Sequence, residues 1–247
     1  MKKLIIYGAL VPDTVKLIDT INEVSPTWEL LGYIDDQNNR QDKTFMGYRI
    51  LGGPEIIPEL IKDNDIYFFV TYFGKLSGFK KRINIVESHG CKFANLIHPS
   101  INTKYVKIGK GCFLAEGCSL GACIEIGNYV NARLRSVICH NAKIEDFSFI
   151  GPNATVGSGV LLKEGCFIGT SATILRTKTL GKASTIGAGA MVVKNVPDGI
   201  TVVGVPAKKI RKSLLKRTIN WLKRNYPILF SKRNKDIEFN LKQENSF

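Results

Sequence analysis

At 247 residues and 44% hydrophobic side chains, the chain holds one long or two modest domains with a real core. The net charge of +14 is unevenly placed, because residues 207–247 carry twelve Lys/Arg against three Asp/Glu and so own most of the surplus. No stretch approaches a membrane span in length, and six cysteines without a CxxC pair exclude a disulfide framework and point to a reducing compartment, the cytoplasm.

The opening MKKLIIYGAL pairs two lysines with an apolar run, but Leu4 to Tyr7 is too short for a signal core. It predicts a buried parallel strand, followed by a turn at Gly8-Ala9 and an amphipathic helix from Thr14 to Val24, which Pro12-Asp13 would start and cap. A second strand is predicted over Glu29 to Ile34, ended by Asp35-Asp36, and a third over Ile66 to Thr71. A helix over Lys80 to Ser88 and a strand over Lys92 to Leu96 complete the segment. This alternation predicts a small doubly wound, Rossmann-like α/β domain over residues 1–95, with its ligand site at the carboxyl ends of the strands.

From Ile108 to Val192 every sixth residue is aliphatic or alanine, fifteen times without an insertion. A period of six fits neither a helix nor an alternating strand. It fits a solenoid in which three hexapeptides close a triangular coil of about eighteen residues, a parallel β-helix over residues 96–206. Eight of the fifteen are followed by glycine, which permits a positive φ or a close backbone approach. Cys112, Cys118 and Cys166 fall in the recurrent small slot and read as packing residues.

In the basic tail, residues 207–247, Ile210, Leu214, Leu215, Ile219 and Leu222 would share one helical face. That helix fits either contact with an anionic membrane surface, peripheral at its inner face, or packing on the end of the solenoid. No aromatic and basic motif accompanies the charge, so nucleic acid is not an expected partner.

Taken with the repeat, the segments Trp28 to Asp36 (WELLGYIDD), Leu51-Gly52-Gly53, Leu96 to Ser100 (LIHPS) and Gly204 to Lys208 (GVPAK) resemble the hexapeptide-repeat sugar O/N-acyltransferases. That family includes sialic-acid O-acetyltransferases and the N-acetyltransferases of UDP-linked 4-amino sugars. The resemblance covers residues 1 to about 210 and implies a left-handed helix, acetyl-CoA as donor, and a homotrimer with a groove between adjacent prisms. It places a nucleotide-linked sugar on the amino-terminal domain, at Gly8, Ala9 and Leu10, at the acidic pair Asp35 and Asp36, and near Gly53. The family's glycine-rich turn survives here only at Gly8-Ala9. Leu10, Val11 and Pro12 replace glycines whose amides would approach a phosphate.

Acyl transfer from a thioester needs a base for the nucleophile's proton, a donor for the oxyanion and a groove for pantetheine. Of the three histidines, His89 in a helix-end loop and His98 before Pro99 read as structural. His140 lies two residues past inward Ile138, on a coil edge, and Ser136 to Phe147 resembles the family stretch containing the general base. Relatives follow that histidine with a carboxylate; here Asn141 follows, able to orient the imidazole but uncharged. Arg133 and Arg135 stand where relatives have small residues, and fit a phosphate, a carboxylated sugar or a solvated corner. Phe149 stands near the thioester where relatives often have a second histidine, so a backbone amide near Gly151 would serve the oxyanion. For coenzyme A the resemblance implies Thr170 and Ala188 along the pantetheine groove, with Lys194 and Lys208 at the adenosine phosphates. No histidine pair has metal-ligand spacing, so no metal is expected. The resulting expectation is an acetyl-CoA-dependent acetyltransferase for an amino sugar, in first place a nucleotide-linked one, in surface-glycan biosynthesis. The alternatives are a sugar O-acetyltransferase with a non-nucleotide acceptor and a non-catalytic scaffold of glycan machinery.

Overall fold

The computed structural model describes residues 1–8, 11–37, 40, 43–62, 66–72 and 75–210. Ala9 and Leu10 lie outside the described residues, as does the predicted tail helix from residue 211 onward. Met1–Lys208 forms a compact unit.

The amino-terminal elements are β1 (Lys2–Tyr7), α1 (Pro12–Val24), β2 (Trp28–Ile34), β3 (Thr44–Phe45), β4 (Tyr48–Gly52), α2 (Ile57–Leu60), β5 (Ile66–Val70), α3 (Leu76–Ser88) and β6 (Lys92–Phe93). Their sheet has the order β3-β4-β2-β1-β5-β6, parallel throughout except for the β3–β4 hairpin. The chain steps outward from β1 through β2 to β4, then returns to β5 on the other side of β1. The topological switch point therefore lies at the carboxyl ends of β1 and β5, where Gly8 and Thr71 sit.

Two local expectations are corrected. Pro12 does open α1, but Asp13 does not cap it: the N-cap is Val11 without a side-chain bond, because the Asp13 carboxylate is drawn to Arg133 of the solenoid. The strand predicted over Lys92 to Leu96 is two strands. Lys92–Phe93 pairs with β5, whereas β7 (Leu96–Ile97) pairs with Phe113–Leu114 of the solenoid. Between them Asn95 ties the chain to the first coil: its amide donates to the Gly109 carbonyl at 2.8 Å and its carbonyl accepts from the Cys112 amide at 2.9 Å.

The solenoid has three parallel faces. The first runs from Leu96–Ile97 through Phe113–Leu114, Asn131–Ala132, Phe149–Ile150 and Phe167–Ile168 to Thr185–Ile186. The second runs from Ser119–Leu120 to Met191–Val192, and the third from Val106–Ile108 to Thr179–Leu180. Register advances by one coil of eighteen residues, as in Ile138↔Val156. Thirteen of the fifteen inward residues are at most 3% exposed. Ile108 and Leu120 are only half-buried because they begin the third and second faces, with no strand beneath them.

The glycines after the inward residues serve close approach, not positive φ. A Cβ on Gly121 would lie 2.5 Å from the His140 amide nitrogen, so this glycine lets the coil bearing His140 settle onto the one below. The left-handed backbone falls two residues further on, at Arg135, Asn141, Phe147, Asn153, Ser171 and Thr177 among others. Cys112, Cys118 and Cys166 are buried; burial pushes the Cys112 thiol up to about 12, which leaves it a protonated packing group.

The α/β sheet shares its core with the solenoid. Leu4, Ile6 and Phe69 belong to the cluster that continues through Phe113 into the inward ladder, while Ile5, Tyr7 and Phe68 pack with α3 and Tyr129. An aromatic seam closes the junction: Phe79 on Tyr72 (4.8 Å), Tyr72 on Phe149 (5.0 Å) and Phe149 stacked on Phe167 (4.8 Å). Lys80 pairs with Glu164, and the Tyr129 hydroxyl donates to Glu87 at 2.6 Å.

Candidate active site

His140 stands at the corner between the second and third faces, exposed, two residues after fully buried Ile138. Hydrogen bonds along the coils stack Ala122, His140, Ser158 and Arg176 at successive levels: Asn141 donates to Ala122 (3.1 Å), Gly159 to His140 (3.0 Å) and Thr177 to Ser158 (2.8 Å). Lys194, also exposed, follows on the next coil. Among the described residues, neither the imidazole of His140 nor the amide of Asn141 has a side-chain partner. Asn141 itself is in the left-handed region (φ 59°), which asparagine tolerates better than most residues, so its place has a backbone reason independent of the imidazole. The other two histidines are tied locally, His89 Nδ1 to the Ile85 carbonyl (2.8 Å) and His98 Nδ1 to the Ser100 hydroxyl (2.8 Å).

Thr170 and Ala188 lie exposed, one above the other, at the corner between the first and second faces, joined by the Gly189 amide on the Thr170 carbonyl at 2.8 Å. The second face thus separates the His140 edge from the Thr170 edge within one prism. Phe149 occupies the first face beneath Tyr72, inside the aromatic seam. Gly151 does not offer a free amide: it donates to the Ile168 carbonyl at 2.8 Å, part of the ladder between coils, so the expected oxyanion donor is already committed. Lys208 is exposed at the end of the compact unit.

The residues expected around the nucleotide-linked substrate gather at the carboxyl ends of β1, β2 and β4, although most are internally engaged. Gly8 (φ 98°) donates to the Ile34 carbonyl, and a Cβ there would lie 2.5 Å from the Thr71 hydroxyl oxygen. Asp35 is buried and accepts from the Gln37 amide (2.8 Å) and Arg40 (3.2 Å). Asp36 accepts from the Tyr7 hydroxyl and from Arg82 Nε (2.7 Å). Burial, then the bond to Asp36, holds the Tyr7 hydroxyl far above its ordinary pKa, so it stays a donor. Gly53 donates to Glu55 (2.9 Å). Arg133 is largely enclosed: it pairs with Asp13 and lies 4.9 Å over the Phe113 ring, and burial lowers its pKa despite the carboxylate. Arg135 remains exposed on the corner.

Sequence reading missed Arg82 and Arg176. For Arg176 a signal existed, since it lies two coil lengths beyond His140. For Arg82 none did, because its partner Asp36 is 46 residues away and the two meet only across the folded sheet.

The description "Bacterial transferase hexapeptide (six repeats)" matches residues 136–176. A GDP-perosamine N-acetyltransferase of Escherichia coli O157:H7 is 30% identical over 157 residues, covering 59% of this chain and 71% of that protein. The chain belongs to the bacterial hexapeptide transferases. As a member it is an acyltransferase whose repeat coils left-handed. A serine acetyltransferase of Buchnera aphidicola is 33% identical over 136 residues, 54% of this transferase and 44% of the relative. Among solved structures, the transferase fold matches a histidine-to-alanine mutant of GDP-perosamine N-acetyltransferase from Caulobacter crescentus, in complex with CoA and GDP-perosamine. That match has a TM-score of 0.76 at 23% identity, over 86% of this chain and 98% of that one. It also matches the acetyltransferase domain of PglB from Neisseria gonorrhoeae, with a TM-score of 0.76 at 24% identity, over 85% and 100%.

Proposed function

We propose that this hexapeptide transferase moves an acetyl group from acetyl-CoA to the amine of a nucleotide-linked amino sugar, with His140 as general base, in surface-glycan biosynthesis. The observation that carries the reading is the exposed imidazole of His140 on a repeat corner, without a side-chain partner among the described residues, in a chain 30% identical over 157 residues to a GDP-perosamine N-acetyltransferase. The CoA and GDP-perosamine bound in the Caulobacter structure, which matches 86% of this chain and 98% of its own, support both substrates.

His140 takes the amine's proton as nitrogen attacks the thioester carbonyl, and the thiolate of CoA leaves. Asn141, an amide, follows the base in the chain. Arg176 and Lys194, on the coils beyond His140, would meet the phosphates of CoA.

The working site requires more than one copy. The α/β domain packs on the first face of its own prism at Phe149 and on the corner between the third and first faces at Phe147 and Glu164, whereas His140 stands on the edge opposite the first face. A sugar held at the carboxyl ends of β1 and β5 reaches a His140 only if a neighbouring prism supplies it. A trimer in which the His140 edge of one prism meets the Thr170 and Ala188 edge of the next provides both groups and the groove between them. Thermal stabilisation of the purified protein by acetyl-CoA, and by a panel of UDP-, GDP-, dTDP- and CMP-linked sugars, tests the reading. Acetyl-CoA together with one nucleotide sugar should raise the melting temperature; silence towards every CoA derivative would refute the transferase reading, and acetyl-CoA alone would move the acceptor outside the nucleotide sugars.

A further inference from the structure

The first turn of the α/β domain carries Val11 and Pro12 where an anion cradle would need free amides and small residues, so a diphosphate at the switch point must be held by something else. The acidic pair beside it is fully compensated: Arg40 meets Asp35, and Arg82 meets Asp36. Arg82 is the cation best placed. It comes from α3, crosses to the carboxyl ends of β1 and β2, and has its Nε fixed on Asp36 at 2.7 Å with the guanidinium 5.9 Å over the Tyr7 ring. Tyr7 in turn donates to the other oxygen of Asp36, which closes a three-residue bracket around the guanidinium. Its side chain is 22% exposed, and among the described residues nothing else engages its two terminal amino groups.

We infer that Arg82 is the diphosphate-binding residue of the acceptor site, replacing the backbone amides that the first turn has lost. The inference rests on the nucleotide-sugar reading above. A guanidinium anchored through Nε keeps its terminal amino groups as a preformed donor pair for phosphate oxygens, with its conformational entropy already lost to Asp36 and Tyr7. Lysine cannot reproduce this, because its single ammonium would have to choose between Asp36 and the phosphate.

The test is calorimetric titration of GDP, UDP and dTDP into full-length wild type, Arg82→Ala and Arg82→Lys at several salt concentrations, with each variant's melting temperature measured without ligand. The nucleoside diphosphate that binds wild type should bind Arg82→Ala roughly 10- to 100-fold more weakly. Its salt dependence should flatten, which a purely structural role would not produce, and Arg82→Lys should recover only part of the loss. Wild-type affinity in a folded Arg82→Ala would overturn the inference and leave the nucleotide-sugar reading standing, as would a loss without any change in salt dependence. Acetyl-CoA binding with no nucleoside diphosphate bound by wild type would overturn both.

Discussion

The imidazole of His140 is exposed and makes no side-chain bond among the described residues, and the residue after it is an amide in a left-handed backbone turn. On the proposed role of general base, His140→Ala should lower turnover roughly 100- to 10,000-fold while leaving acetyl-CoA binding intact, a split that steady-state kinetics and calorimetry would separate. Asn141→Asp places a carboxylate next to the proposed base. A neighbouring carboxylate stabilises the imidazolium, so the acid limb of the pH–rate profile should move to higher pH and the plateau rate should rise; an unmoved profile would show that residue 141 does not face the base. The outward corner position of His140 was legible from the repeat phase, because position in a hexapeptide fixes which side chains leave the prism. What each side chain touches was not legible: Asp13 reads locally as a helix cap and is spent instead on Arg133, 120 residues on.

At the scale of the element, each coil is held by one inward aliphatic residue per face and by glycines that let neighbouring coils approach. Leu162 is fully buried within the ladder, so Leu162→Ala should cost about 2–5 kcal/mol, read as a lowered denaturation midpoint. Gly121→Val places side-chain atoms against the His140 backbone nitrogen and should reduce both stability and turnover, whereas Gly189→Ala, with nothing within 4 Å of its added Cβ, should add only the modest strain of a left-handed backbone. The solenoid could be read from sequence because its contacts repeat at a fixed offset. The β3–β4 hairpin could not, because a two-residue strand carries no periodicity, and neither could the break between β6 and β7, where one apolar run feeds two different sheets.

For the whole molecule, the seam between the α/β domain and the solenoid is partly electrostatic. Hydrogen bonds from Tyr129 to Glu87, and from Lys80 to Glu164, are the leading reasons both carboxyls titrate below the ordinary glutamate value of 4.5. A depressed folded pKa contributes stability that is complete above the unfolded value and is lost as pH falls through the folded one. As pH falls below the ordinary glutamate value the seam should therefore loosen, seen as faster proteolysis near α3 before the solenoid melts, with solvent screening keeping the effect modest. The proposed sharing of sites between copies makes a second prediction. Co-expressed His140→Ala and Gly8→Val chains, each inactive alone, should regain activity at about a quarter of their sites, because random assembly puts an intact base edge beside an intact α/β domain. Sedimentation should find both species trimeric, and no recovery in mixed trimers would place base and acceptor in one chain.

The sequence by itself determined the solenoid, its inward ladder, the corner on which His140 stands and the βα alternation before it. Each of these is a local or strictly periodic consequence of residue type and spacing. Only the tertiary structure decided which charges are free. Asp36 is bracketed by Tyr7 and Arg82, Arg133 is closed over Phe113 by Asp13, and Phe149 lies under Tyr72. The physical reason is that each of these groups is satisfied by a partner brought in from a distant coil or another element, and a hydrogen bond or ring contact between residues so far apart in the chain leaves no period behind it.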